Sequence, residues 1–263
     1  MEKPEVSIHC GDSRSLSAIP DNIIDLVVTS PPYNVGKGYH FYSDNKSLKE
    51  HLEILSLVWA ECLRVMKPGS RICVNVPHGT GRQPYLPLGA AVTLQLDSLF
   101  SMVGTIIWRK NTARLRTSWG SWRRPNSPCL RDMSELIIVA RKEGVFEVPD
   151  NFLVEDDGVK VSPWLDSDTF LTLTRDIWDM DTSCPAKSGH PAAFPTELPL
   201  RLIKLFAFEG ATVLDPFAGS GTVGKAAQKL GCRSVLYDID SEYCRMMDER
   251  LLSQPNLAFN EVC

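Results

Sequence analysis

The sequence predicts a doubly wound α/β domain built on a seven-stranded, mostly parallel sheet. Three observations predict it. Short apolar runs alternate with helix-period segments along the 263 residues, the pattern of a parallel sheet covered on both faces. One apolar run opens into a glycine-rich turn that heads a helix. Another stops at a double proline. Turns of these kinds fit the carboxyl edge of such a sheet, where ligands bind.

Taken in order, Val6–Cys10 and Ile24–Thr29 are the first strands, both short and carrying β-branched residues. His51–Met66 has an apolar stripe (Leu52, Leu55, Val58, Trp59, Cys62, Leu63) at helical spacing and stops before Lys67-Pro68-Gly69. Trp59 lies on that stripe and is expected in the core. Arg71–Val76 is a strand, Leu86–Phe100 a helix, and Gly104–Trp108 and Glu135–Ala140 two further strands. Leu198–Phe208 is a helix, Ala211–Asp215 a strand, Thr222–Leu230 a helix, Ser234–Asp238 a strand and Glu242–Leu252 the last helix. Residues 111–133 and 143–190 break the rhythm and read as irregular inserts, too long to serve as connections alone.

Composition bounds the answer. Apolar residues make up 43% and charged residues 23%, which suits a globular chain rather than a disordered one. No apolar run reaches membrane-spanning length and the N-terminus lacks a signal-peptide core, so a cytoplasmic protein is expected, nucleoid-associated if its basic residues meet DNA. The eight cysteines form no C-x-x-C pair. They are expected to be reduced and structural, with no metal site. The net charge of −4 argues against a simple DNA coat protein, but from Ser98 to Arg131 there are seven basic residues and no acid. Such a patch suits a phosphate backbone.

The glycine turn lies in Thr212-Val-Leu-Asp-Pro-Phe-Ala-Gly-Ser-Gly-Thr222. Gly219 and Gly221 permit a sharp turn and close approach of a ligand, and the helix behind them directs free N–H groups at it. A nucleotide-like cofactor fits. Gly219, Gly221 and Gly224 match the dinucleotide spacing, and Asp238 at the end of the next strand can hold a ribose diol. Asp215 discriminates between cofactors. An acid just before the turn repels a pyrophosphate but pairs with the ammonium of S-adenosyl-L-methionine.

The double proline lies in Asp25-Leu-Val-Val-Thr-Ser-Pro-Pro-Tyr33. Pro31 and Pro32 end the strand and hold the turn extended. The Pro31 carbonyl and the Ser30 hydroxyl then offer two acceptors, and Tyr33 a flat face. That trio suits a planar ring bearing an NH2 group, as in a base flipped out of a helix. Acceptors around the nitrogen favour the pyramidal arrangement it takes up in attacking a methyl carbon.

These motifs together resemble the amino-group DNA methyltransferases of restriction–modification systems, in the β order, where the catalytic motif precedes the cofactor motif. The matches are Thr29-Ser-Pro-Pro-Tyr33, Trp108-Arg-Lys110, His190-Pro-Ala-Ala-Phe-Pro195, Asp215-Pro-Phe-Ala-Gly-Ser-Gly-Thr222 and the opening Cys10-Gly-Asp-Ser13. The resemblance implies a Rossmann-like S-adenosylmethionine-dependent fold with permuted motif order and an antiparallel hairpin at Gly104–Trp108 and Glu135–Ala140. It implies an amine site of Ser30, Pro31, Pro32 and Tyr33. It implies a cofactor site of Asp12, His190, Phe194, Asp215, Phe217, Gly219, Gly221, Thr222 and Asp238. Ser-Pro-Pro-Tyr marks cytosine-N4 enzymes more often than adenine-N6 enzymes, which makes adenine the alternative base. The implied organisation is a catalytic half at 1–110, a basic target-recognition segment at 111–133, a strand at 134–142, an insert at 143–190 and a cofactor half at 191–263.

Double-stranded DNA is the expected partner, met by Arg109, Lys110, Arg114, Arg116, Trp119, Trp122, Arg123, Arg124 and Arg131. A cognate restriction endonuclease would act separately, and the protein itself is expected as a monomer or homodimer. The turn fits any planar amine, so an RNA or protein methyltransferase is a rival reading. A non-enzymatic nucleic-acid module that keeps the fold is another, against which the intact Ser30 and Asp215 argue.

Overall fold

The computed structural model describes residues 4–34, 46–80, 85–111, 120–130, 132–182 and 194–252. Their strands are β1 (Val6–Cys10), β2 (Ile24–Thr29), β3 (Met66–Pro77), β4 (Ser101–Lys110), β5 (Ser134–Arg141), β6 (Val154–Asp156), β7 (Val159–Val161), β8 (Ile177–Met180), β9 (Thr212–Asp215) and β10 (Arg233–Asp238). The helices are α1 (Leu48–Val65), α2 (Leu88–Asp97), α3 (Ser167–Leu173), α4 (Glu197–Phe206), α5 (Thr222–Lys229) and α6 (Ser241–Met247), the last running into a π-helical turn at Asp248–Leu252. No described helix is long and apolar enough to cross a membrane.

Eight strands form one sheet in the order β1-β10-β9-β2-β3-β5-β4-β8, while β6 and β7 make a separate hairpin. Within the large sheet β5 runs antiparallel to both β3 and β4, and the other pairs are parallel. All seven expected strands are present. The eighth, β8, extends the sheet beyond β4.

Alternation along the strands builds two cores. Ile24, Val27, Ile72, Val74, Val76, Ile138 and Ala140 face α1 and α2. Leu26, Val28, Cys73, Ile137 and Val139 face the opposite way, toward Leu198, Leu202 and Ile203 of α4 and Val223, Ala226 and Ala227 of α5. Trp59 is fully buried in the first core, as its stripe predicts. The helix that carries it starts earlier than its apolar stripe, because Ser47 and Glu50 form a reciprocal capping box.

Where the sequence reads 143–190 as irregular, the structure has β6, β7, α3 and β8. These elements are three to seven residues long and mostly exposed, too short to imprint a period. In β8 only Trp178 and Met180 turn inward. Trp178 packs in the second core, and Trp164 meets Phe152 edge-on at 4.9 Å. The tryptophans of the acidic segment therefore brace the fold.

The expected boundaries between halves cross the sheet. β2 and β9 are hydrogen-bonded neighbours, with Leu26 opposite Val213 and Val27 opposite Leu214. Asp25 locks the amino ends of this pair. Its buried carboxylate accepts from Lys67 Nζ at 2.6 Å and from the Thr212 backbone N–H at 2.8 Å. From the β9–β2 seam the chain winds outward both ways, through α5 on one face and α1 on the other. Strand order reverses there, so a crevice opens at the carboxyl ends of these two strands.

Candidate active site

Both signature turns leave the sheet at that crevice. Ser30 follows the last residue of β2, and Asp215 is the last residue of β9. The two strands are joined at this end too, where the Thr29 hydroxyl donates to Asp215 Oδ1 at 2.7 Å. The double-proline turn and the glycine turn, far apart in sequence, thus share one rim.

On the glycine side, Gly219 and Gly221 hold φ angles of 49° and 79°. A β-carbon on Gly221 would lie 3.0 Å from Met247 Cγ, so a side chain there crowds Met247 and is strained at this left-handed φ. Gly224 packs against Leu236 and Leu251, drawing α5 onto the sheet. Asp215 is buried, and burial raises its pKa to about 7 with help from the nearby Asp238 charge. The Thr29 hydroxyl and the Phe217 N–H oppose that rise but do not cancel it. Asp238 accepts from the N–H of Gly219 at 2.7 Å and of Asp240 at 2.9 Å, one on each oxygen. Its pKa is also raised, mainly by burial. The lone pairs left over on this carboxylate suit a ribose hydroxyl. Asp240 caps α6, and its Oδ2 is buried without a partner among the described residues. A lone acceptor of this kind beside the strand end suits a donor on a bound ligand.

The remaining cofactor candidates fall at different depths. Asp12 sits just past β1 in an exposed pair with Arg14, which lowers its pKa, and the neighbouring Gly11 N–H bonds to the Asp238 carbonyl. Thr222 opens α5. Phe217 packs on the first core, edge-on to Trp59 at 6.4 Å, while Phe194 is buried in the second core. His190 lies outside the described residues.

The double-proline turn holds a hydrogen-bond network that its sequence does not reveal. Pro31 is buried, and Ser30, Pro32 and Tyr33 are partly exposed. Ser30 Oγ lies 2.9 Å from Tyr33 Oη and donates to the Asn75 carbonyl at 3.1 Å. Tyr33 Oη donates to Glu135 Oε2 at 2.9 Å. Asn75 Nδ2 donates to Tyr33 Oη at 3.0 Å and to Glu135 Oε2 at 2.7 Å. Lys110 Nζ closes the chain 2.7 Å from Glu135 Oε1, with its charge 5.5 Å from the Trp108 ring centre. Sheet register explains the grouping. Glu135 lies opposite Pro77 and Trp108, so Asn75 on β3 and Lys110 on β4 are its diagonal neighbours on one face. Asn75 and Glu135 are absent from the sequence-derived site. The available signal was a polar residue at an inward strand position. Asn34, at a φ of 55°, clamps the backbone of Lys46 with both ends of its amide, at 2.8 and 2.9 Å.

The candidate DNA residues divide. Lys110 pairs with Glu135 behind the double-proline turn, and Arg109 is paired with Asp179 of β8 through an Nη2–Oδ2 contact of 2.7 Å. Residues 120–130 form a compact turn held by Ser121, which accepts from the Ser127 N–H and donates to the Arg124 carbonyl. The turn exposes Trp122, Arg123 and Arg124, with Trp122 62% accessible. Arg114, Arg116, Trp119 and Arg131 lie outside the described residues.

A permuted Rossmann-like sheet with its double-proline turn and glycine turn on one rim defines the class of S-adenosylmethionine-dependent methyltransferases. Comparison narrows this. The family described as DNA methylase, of N6 and N4 type, matches residues 24–249, and the chain belongs to this family of amino-group DNA methyltransferases of restriction–modification systems. Type II methyltransferase M.MjaI of Methanocaldococcus jannaschii is 29% identical, over 92% of this chain and 89% of its own length. DNA adenine methyltransferase YhdJ of Escherichia coli is 27% identical, over 93% and 81%. TTHA0409 of Thermus thermophilus, solved with S-adenosyl-L-methionine, superposes with a TM-score of 0.71 at 29% identity, covering 94% of this chain and 93% of its own. PvuII DNA methyltransferase (cytosine-N4-specific) shares the fold, with a TM-score of 0.70 at 20% identity over 98% and 91% of the two chains.

Proposed function

We propose that this protein methylates N4 of a cytosine flipped out of duplex DNA, at a specific sequence, with S-adenosyl-L-methionine as donor. The observation that carries the reading is the Thr29–Asp215 hydrogen bond, which ties the amine turn to the glycine turn at one rim. The residues on the glycine side fit the donor. Asp238 has lone pairs for the ribose, Asp240 a buried oxygen without a partner among the described residues, and Asp215 a carboxyl for the ammonium. When bound, this donor supplies a methyl group on a cationic sulfur that departs as a neutral thioether. Ser30 and the Pro31 carbonyl accept from the base amine, and Tyr33 stacks on its ring. The exposed Trp122, Arg123 and Arg124 meet the DNA backbone, and a cognate endonuclease acts separately if the organism carries one.

Cytosine is preferred because the turn reads Ser-Pro-Pro-Tyr, the form that marks cytosine-N4 enzymes more often than adenine-N6 enzymes in this family. Adenine N6 is the second reading, favoured by the likeness to YhdJ, which is named for adenine. Incubation with duplex DNA and donor, digestion to nucleosides and mass spectrometry decides between them. N4-methylcytosine is expected, and N6-methyladenine alone would overturn the cytosine reading. Single-molecule sequencing of the product gives the recognition site.

A further inference from the structure

We propose that Glu135 and Lys110 are positioning residues that fix the direction of the hydrogen bonds behind Ser30, so that Ser30 meets the substrate amine only as an acceptor. This rests on the reading of Ser30 as the amine contact. Counting protons gives the direction. A carboxylate accepts and never donates. Glu135 Oε2 takes the single Tyr33 hydroxyl proton and one proton of Asn75 Nδ2. Tyr33 Oη, its own proton spent, accepts from the other Asn75 proton. The Ser30–Tyr33 contact of 2.9 Å then has only one donor left, Ser30. The alternative partner of the Ser30 proton is the Asn75 carbonyl at 3.1 Å. Both destinations lie behind the turn, so the lone pairs of Ser30 Oγ stay open to a donor. A hydroxyl that could rotate its proton outward would meet an amine proton with a proton. Directional order is what the charged end of the chain contributes.

Lys110 is the part that makes the order robust. It donates to Oε1 at 2.7 Å, so any group replacing the carboxylate must offer it an oxygen. In Glu135→Gln the amide oxygen therefore turns to Lys110 and the NH2 turns to Tyr33 and Asn75. The Tyr33 proton is driven toward Ser30, and the polarity of the chain reverses. In Lys110→Met/Glu135→Gln the amide is released from that demand. It can present its oxygen to Tyr33 and Asn75 and restore the original direction.

The test compares wild type with Glu135→Gln, Lys110→Met and the double variant. The readouts are kcat and KM for duplex DNA, equilibrium affinity for S-adenosyl-L-methionine, and the thermal midpoint. Glu135→Gln is expected to lose tenfold or more in kcat with KM and cofactor affinity held within twofold. The double variant is expected to turn over at least threefold faster than Glu135→Gln, although it carries one more lesion. A purely structural role predicts the opposite order, with the double variant worst and its thermal midpoint lowest. Wild-type turnover in Glu135→Gln, or a double variant no faster than that single one, overturns the proposal. A wild-type protein inactive on DNA would instead overturn the functional reading on which it rests.

Discussion

Removing the Ser30 hydroxyl takes away one acceptor at the reacting nitrogen and leaves the glycine turn untouched. Ser30→Ala should lower kcat by about a hundredfold, the scale of losing one aligned polar group at a reacting centre, with cofactor affinity unchanged by calorimetry. Asp215 makes a prediction of opposite kind. Its folded pKa of about 7 lies above the unfolded value. Ionising it therefore costs folding free energy, a cost present above pH 7 and relieved as pH falls toward the unfolded value. Pairing with the cofactor ammonium requires the carboxylate. Affinity for S-adenosyl-L-methionine should fall by about tenfold per pH unit below that pKa, and Asp215→Asn should bind weakly with a flat profile. A wild-type affinity constant from pH 8 to pH 5.5 would refute the pairing. Ser30 and Asp215 were legible because each stands in a short motif beside the residues that restrain it. Asn75 and Glu135 were not, because they meet only through register between β3 and β5, and Glu135 lies 102 residues from Tyr33.

At the scale of elements, the turns carry more of the design than the strands. Gly221 heads α5 at a left-handed φ and faces Met247. Gly221→Ala should destabilise the fold by about 1–2 kcal/mol from the backbone alone, with more from the contact, read as a drop in the denaturation midpoint. The seven strands of the sequence reading emerged because each runs four or more residues with apolar positions on alternate or both faces. β8 escaped because only two of its four residues turn inward and it lies among acids, whereas all four residues of β9 are buried. Its Asp179 pairs with Arg109, so one member of the basic stretch already has a carboxylate partner inside the protein.

Across the whole molecule, the described part of the basic stretch reduces to the exposed tip at Trp122, Arg123 and Arg124. Arg123→Glu/Arg124→Glu should weaken binding to any duplex and lower the slope of log affinity against log salt by about two, one for each phosphate that an arginine no longer neutralises. An unchanged slope in a filter-binding titration would move the DNA elsewhere. The net charge of −4 conceals this tip, since averages carry no geometry. That two distant motifs meet was foreseeable from the ligand rule of doubly wound sheets. Which strands form the seam, and that hydrogen bonds lock it at both ends, came only from the pairing.

That seam also sets a timetable for synthesis. β2 emerges from the ribosome with one flank bare, and Asp215, the partner of Thr29, lies 186 residues downstream. At roughly 5–20 residues per second the wait lasts about 10–40 s. Through that interval an apolar strand edge and the Asp25 carboxylate lack their β9 neighbours. The nascent chain should therefore lean on holdase chaperones until its last third is made.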